Sequence, residues 1–386
     1  MTIKHVVANL GIIGILASCS TTADRAPVQQ SKANAETYAA LESLNPDFPA
    51  IFEAARYADS SHNVQPWTVK AENGTTLLVG IDPNRTLPEV DPENREILLS
   101  TGGFIGSLET AAEALGYKAD VEVLAESPSA GDIARIRLEK TGRPIDRRTL
   151  NLMQSVYTEK GDLSTEPVAA ADLEHIKAAA GNGSGLHASV RYFPAGSPEA
   201  EWIREESPKA ALRQAERDPV QKELVDLFHF SRKTPEERPV GMTPEMMGLG
   251  GFTRFIWYSF FTPETMMKDS NRKTIGKMVG DQLENSAGIL AIPSESNSPA
   301  DLIFAGSRYQ RMKIAAFERG IVIHPISQLL EEDGWKGSVP GRLGTEGPVQ
   351  YIARIGYLKG KPMDFEADAV SSPSIRLRPG QFVSVK

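Results

Sequence analysis

The sequence predicts an α+β fold in two related halves, helices set around antiparallel and mixed strands, and three observations lead there. Residues 93–115 and 301–320 are long segments with apolar side chains at helical spacing, ending at Gly116 and Gly320. Strand-like runs accompany both: 68–70, 75–82, 119–124 and 133–140 for the first, 186–193, 287–293, 320–325 and 349–357 for the second. Gly142-Arg143-Pro144 separates the two sets, so the halves are expected at 36–143 and 144–386.

The first half opens on residues 36–57, where Leu41, Leu44, Phe48, Ile51, Phe52 and Ala55 read as helix, interrupted near Pro46 and Pro49. Glu72-Asn73-Gly74 is a hairpin signal between the first two strands. Gly102, Gly103 and Gly106 lie inside the helical pattern. A dinucleotide loop needs a strand, then the glycines, then a helix, so these three predict close packing against another helix.

In the second half, helices are expected at 147–157, 170–180 and 198–214, and the glycine-rich run 181–185 reads as a turn. Residues 228–280 form an insertion rich in Met and aromatic residues with poor periodicity. Part of the core, a lid over a flat ligand, a membrane-facing patch and a dimer contact are all open readings of it.

A chain of 386 residues can bury a large core, and 40% hydrophobic with 24% charged residues is ordinary globular composition. With a net charge of -8 and no long basic run, it lacks the footprint of a nucleic-acid binder. The N-terminus pairs Lys4 with an apolar run over 6–16, too short to span a bilayer, followed by Leu16-Ala17-Ser18-Cys19. This looks like a bacterial lipobox. It predicts a signal peptide over 1–18, lipidation of Cys19, a flexible tether over 19–35, and attachment at the cell envelope, facing the periplasm or exterior. A plain secretory signal with an incidental Cys is the alternative. Cys19 is the single cysteine, so intrachain disulfides and cysteine metal sites are excluded. There is no H-E-x-x-H or G-x-S-x-G motif, and no metal site is expected.

Residues 59–67, Asp-Ser-Ser-His-Asn-Val-Gln-Pro-Trp, concentrate hydrogen-bonding side chains, a proline and a large aromatic. They suit a clamp on a planar, polar-edged cofactor. They also suit a polar turn before a strand, with Trp67 buried.

Four stretches, in order, resemble the FMN-dependent nitroreductase superfamily, most of all its Acg-type members, which look like two nitroreductase subunits fused. They are Ser60-Ser61-His62-Asn63-Val64-Gln65-Pro66-Trp67; Arg147-Arg148-Thr149 with Glu166-Pro167-Val168; 305–328 ending in His324-Pro325-Ile326-Ser327-Gln328; and 352–357 with Arg376 and Arg378 beyond. The resemblance implies a nitroreductase-like fold, a monomer acting as a pseudo-dimer, and one FMN between the halves. Ser60, Ser61, Asn63 and Gln65 would serve the ring and ribityl chain. Arg147, Arg148, Thr149, Asn151, Arg376 and Arg378 would serve the phosphate end, and His324, Pro325, Ser327 and Gln328 the N5 side. No catalytic side chain is implied, because the flavin carries the chemistry. NAD(P)H or another donor would reduce it, and a small acceptor such as a nitroaromatic or quinone would reoxidise it. The other implication is a flavin-sequestering protein with little turnover. Asp59, Asn151 and Gln328 depart from the family pattern, where Pro, a basic residue and Gly are usual.

Overall fold

The computed structural model describes residues 32–129, 131–181, 190–359 and 372–386. The expected signal segment, Cys19 and residues 20–31 lie outside the described residues, as do half of the expected strand 186–193 and most of the glycine-rich run 181–185.

The first half holds α1 (Lys32–Leu44), α2 (Phe48–Ala55), β1 (Trp67–Asn73), β2 (Thr76–Ile81), α3 (Arg95–Ala114), β3 (Tyr117–Val123) and β4 (Asp132–Lys140). The second begins with α4 (Arg147–Ser155), α5 (Ala170–Ala179), β5 (Arg191–Pro194), α6 (Pro198–Glu216) and α7 (Asp218–Asp226). It continues with α8 (Gly251–Phe260), α9 (Asp269–Glu284), β6 (Gly288–Pro293), α10 (Pro299–Glu318), β7 (Ile321–Pro325), β8 (Val349–Tyr357) and β9 (Val383–Val385). The break between α1 and α2 follows the prolines, with Pro49 in the first turn of α2, where its missing N–H costs nothing.

Two sheets result, ordered β3-β4-β2-β1-β9 and β5-β6-β8-β7. The first four strands of one sheet and the four of the other follow the same plan: within each half the order is third, fourth, second, first, all antiparallel. The halves also exchange chain. Strand β9, from the end of the second half, pairs in parallel with β1, Val69 opposite Val383.

Helices α3 and α10 pack against each other at the centre. Their backbones come so close that a methyl group built at Gly102 would collide with the backbone of Ile303, and one at Gly306 with the carbonyl of Leu99. The inner glycines are therefore packing residues. Gly306→Ala should lower stability by roughly 1–3 kcal/mol through overpacking, read by chemical denaturation; an unchanged midpoint would show that the helices can separate freely.

The insertion is less of a unit than its composition indicates. Its far boundary at 280 cuts through α9, whose Val279 and Leu283 are core residues packed with α6 and the second sheet. Trp257 of α8 is buried as well, its indole donating to the His229 carbonyl at 2.9 Å. Poor periodicity here reflects short elements separated by turns, such as α8, which buries only Ile256 and Trp257, ahead of the longer α9.

Candidate functional site

Trp67 opens β1 fully buried and stacks on Phe104 of α3, ring centroids 4.7 Å apart. It anchors the preceding loop, as expected. That loop is conformationally unusual: His62, Asn63 and Gln65 have φ of 47°, 57° and 51°. Three non-glycine residues in the left-handed region within four positions store strain that surrounding contacts must hold, a pattern common at functional sites.

The holding contacts come from the second half. Asn63 donates through Nδ2 to the carbonyls of Gly241 (2.9 Å) and Ile375 (3.1 Å), and its Oδ1 accepts from Arg376 at 2.6 Å. Gln65 donates to the Pro239 carbonyl at 2.6 Å and accepts from the Leu377 amide at 2.8 Å. Ser60 Oγ accepts from the Gln65 amide, while the Ser61 amide donates to Ser100 Oγ. Both amide side chains are thus engaged in fastening the C-terminal segment to the loop.

Asp59 heads the loop and gathers a buried polar group. Its carboxylate receives Lys313 Nζ, Tyr309 Oη at 2.9 Å and Thr158 Oγ1 at 3.1 Å, with Arg376 3.8 Å away. Lys313 also donates to Thr158 at 2.5 Å. Burial pushes the Asp59 carboxyl up, but Lys313 and Arg376 outweigh it and hold it below its ordinary value. Burial pushes the Lys313 ammonium down, opposed by Asp59.

Around this pair lie Lys160, His62, His324 and Arg354. Burial lowers the Lys160 amine to about 8, Arg354 and Lys313 adding to the effect and Asp59 opposing it. Its Nζ lies 3.7 Å from Met242 Sδ. His324 is a satisfied histidine: its Nδ1 accepts from Arg354 Nε at 2.9 Å, and burial, with Arg354, Lys160 and Lys313, keeps it neutral. Arg354, fully buried in β8, also donates to the carbonyls of Gln282, Glu159 and Gly161.

A cleft of about 290 Å³ opens beside this group, lined by Tyr157, Thr158, Glu159, Lys160, Glu245, Met246, Gly248 and Pro373. Of the expected site residues, Arg376 Nε and Gln328 Oε1 are buried with no partner among the described residues, and so are His62 Nδ1 and Trp67 Nε1 of the loop stretch. Unpaired buried donors and acceptors are rare in proteins and fit a polar ligand edge.

His62 gives a pH prediction. Burial, then Lys160, lowers its imidazole from 6.5 to about 4. The unfolded chain takes up this proton as pH falls below 6.5 while the folded chain does not, so the stability it contributes is lost between those values. His62→Gln should therefore gain on the native protein as pH drops from 7 to 5, by up to about 1.4 kcal/mol per unit below 6.5. Thermal unfolding at both pH values checks this; a constant difference would contradict it.

The other predicted residues lie apart from this hub. Arg147, Arg148 and Asn151 are exposed on α4, and Thr149 is half-buried. Arg148 pairs with Glu318 at 2.5 Å. The N-terminus of α4, where Arg147, Arg148 and Thr149 are placed for a phosphate, is capped by Asp146, which accepts from the Thr149 amide at 3.0 Å and hydroxyl at 2.8 Å. Pro325 ends β7 and Ser327 follows it, and the Arg378 amide donates to Gln381. Asp59, Tyr309, Lys313, Thr158, Lys160 and Arg354 are hub residues that motif reading passed over. No group of acidic, His or Cys side chains suited to a metal ion occurs among the described residues.

No family model matches the chain. It is 42% identical over 67 residues to the probable NAD(P)H nitroreductase PigM of Serratia, covering 17% of this chain and 19% of that one. It is 29% identical over 119 residues to an uncharacterized protein of Mycobacterium tuberculosis, covering 29% and 33%. The matches thus span a third or less of these curated relatives. Among solved structures it is similar to the FMN-dependent nitroreductase NfnB from Mycobacterium smegmatis in complex with NADPH, at a TM-score of 0.35 and 13% identity, over 62% of this chain and 98% of that one.

Proposed function

We propose that the protein is an FMN-binding, nitroreductase-like oxidoreductase, built as a fused pseudo-dimer and held at the cell envelope by lipidated Cys19. The observation that carries this reading is the strained loop 60–65, lodged between halves of matching strand order beside a cleft, with the unpaired Nδ1 of His62 buried in it. Similarity to a probable nitroreductase over 67 residues supports it.

The residues present fit a flavin in part. His62 and Gln328 offer unpaired polar atoms to a ring edge, as does Arg376, which the resemblance places at the phosphate end but which lies with Asn63 and Asp59, and the cationic hub suits a ring that gains negative charge on reduction. The cleft, at about 290 Å³, sits at the lower end of small-molecule sites. Arg147, Arg148 and Arg378 are assigned the phosphate end, through their side chains, since Asp146 occupies the α4 amides. Bound FMN would supply hydride exchange between a donor such as NAD(P)H and a small acceptor. The protein's share is to hold the loop, exclude water and keep His62 and His324 uncharged beside the ring.

A second reading is flavin binding with little turnover. It is favoured by Asn63 and Gln65, whose side chains are taken up by internal hydrogen bonds. Adding NAD(P)H anaerobically to the FMN-loaded protein separates the two: bleaching of the flavin bands supports turnover, and persistent colour supports sequestration. Gln65→Ala strands the Leu377 amide and Pro239 carbonyl, so it should lower stability by about 1–3 kcal/mol and reduce flavin retained through gel filtration. Full retention would remove the loop from the site.

A further inference from the structure

Helix α8 presents two different faces. Trp257 is buried in an aromatic group, stacked on Phe230 at 5.4 Å and Phe261 at 5.0 Å, which fixes the helix to the globule. On the opposite side Phe252 and Phe255 are 54% and 52% exposed and stack on one another at 6.2 Å, and Phe260 at the helix end is 61% exposed. These three are the most exposed large apolar side chains among the described residues. Arg232 flanks the same helix, its guanidinium 5.2 Å over the Tyr258 ring. Around it the sequence is less acidic than the whole: residues 229–273 carry seven Lys or Arg against five Asp or Glu in a chain of net charge -8, and with Arg254 paired to Glu245 and Arg272 buried against Asp218, the cations left to the surface are Arg232, Lys233, Arg238, Lys268 and Lys273.

We propose that the Phe252–Phe255 face of α8 docks on an anionic lipid surface, a second membrane contact besides the lipid on Cys19. Exposed aromatics on one face of a short amphipathic helix with basic flanks have the chemistry of an interfacial element that enters the headgroup region without spanning it. No helix among the described residues is long and apolar enough to cross a membrane. The sequence supplies the proximity. Residues 20–31 reach at most roughly 3.5 Å each, about 40 Å in all, so an anchor at Cys19 keeps the globule beside the bilayer. A second copy of the chain fits less well, because three rings fall short of the roughly 800 Å² per partner that a stable dimer buries.

The proposal rests in part on Cys19 anchoring, so its test leaves Cys19 out. The described core runs from Leu41 to Val383, and a chain from residue 20 onward keeps every contact described. That chain is sedimented with vesicles of phosphatidylglycerol and phosphatidylethanolamine, and with phosphatidylcholine vesicles. The bound fraction should be high on the anionic vesicles, fall with added salt, and drop roughly tenfold in Phe252→Ser/Phe255→Ser. Both rings are exposed, so thermal stability should not change. Absence of vesicle binding, or equal binding by the double variant, would overturn the proposal. A concentration-dependent dimer abolished by the double variant would also overturn it, placing a second copy on the face. Fractionation of cells expressing Cys19→Ser reads the anchor separately.

Discussion

Replacing Lys313 by Met is expected to destabilise the fold by about 3–5 kcal/mol, because it strips the main counter-charge from a carboxylate held between the halves. Lys313 is 1% exposed, and among the described residues Asp59 has no other cation within direct hydrogen-bonding distance; Arg376 is 3.8 Å away. Asp59→Ala should be comparably harmful, leaving a buried ammonium beside Thr158 alone. The double variant Asp59→Asn/Lys313→Met leaves no uncompensated charge at this pair and should recover much of the loss. Urea unfolding of the three variants checks this. If the single changes cost under about 1 kcal/mol, the pair behaves as a surface ion pair and is not a clasp between halves.

Trp67→Ala is the other large effect, expected at about 3–5 kcal/mol for a buried aromatic whose cavity cannot collapse. Its indole stacks on Phe104, which meets Phe382 edge-on at 5.6 Å, and Phe382 in turn meets Phe52 at 6.4 Å. Removing the ring undermines α3, the C-terminal segment and α2 together. The loop 60–65 should lose its strained geometry as well, so hydrogen exchange at Asn63 and Gln65 should rise. A stable variant with unchanged exchange would show that the strain is held by Asn63, Gln65 and Arg376 alone.

Much of the fold could be read from spacing. Helices α3 and α10 and strands β4 and β8 lie within about two residues of expectation, because each buries a long periodic face. Strand β9 escaped: Val383–Val385 is too short for a local pattern and exists because β1 offers an open edge. Helices α7, α8 and α9 were hidden by turns and by aromatic residues spread around each helix. At the site, Asn63 and Gln65 are bonded to Arg376 and the Leu377 amide, so Arg376 lies at the loop and not beside the α4 residues with which the resemblance groups it at the phosphate end. The Asp59–Lys313 pair spans 254 residues and no local rule connects its members. Two traces of the hub were nonetheless present in the sequence. Lys313 follows Tyr309 by four on the apolar face of α10, and Arg354 interrupts the apolar strand Val349–Tyr357; a charge in such a place needs a buried partner.

The account stands most directly on the visible spectrum of the purified chain lacking residues 1–19, recorded as isolated and again after addition of FMN and gel filtration. It predicts flavin absorption bands that stay with the protein and diminish in Gln65→Ala. A folded protein that retains no flavin absorbance after loading would contradict both the oxidoreductase and the sequestration readings, and would leave the loop 60–65 as a clasp between two halves.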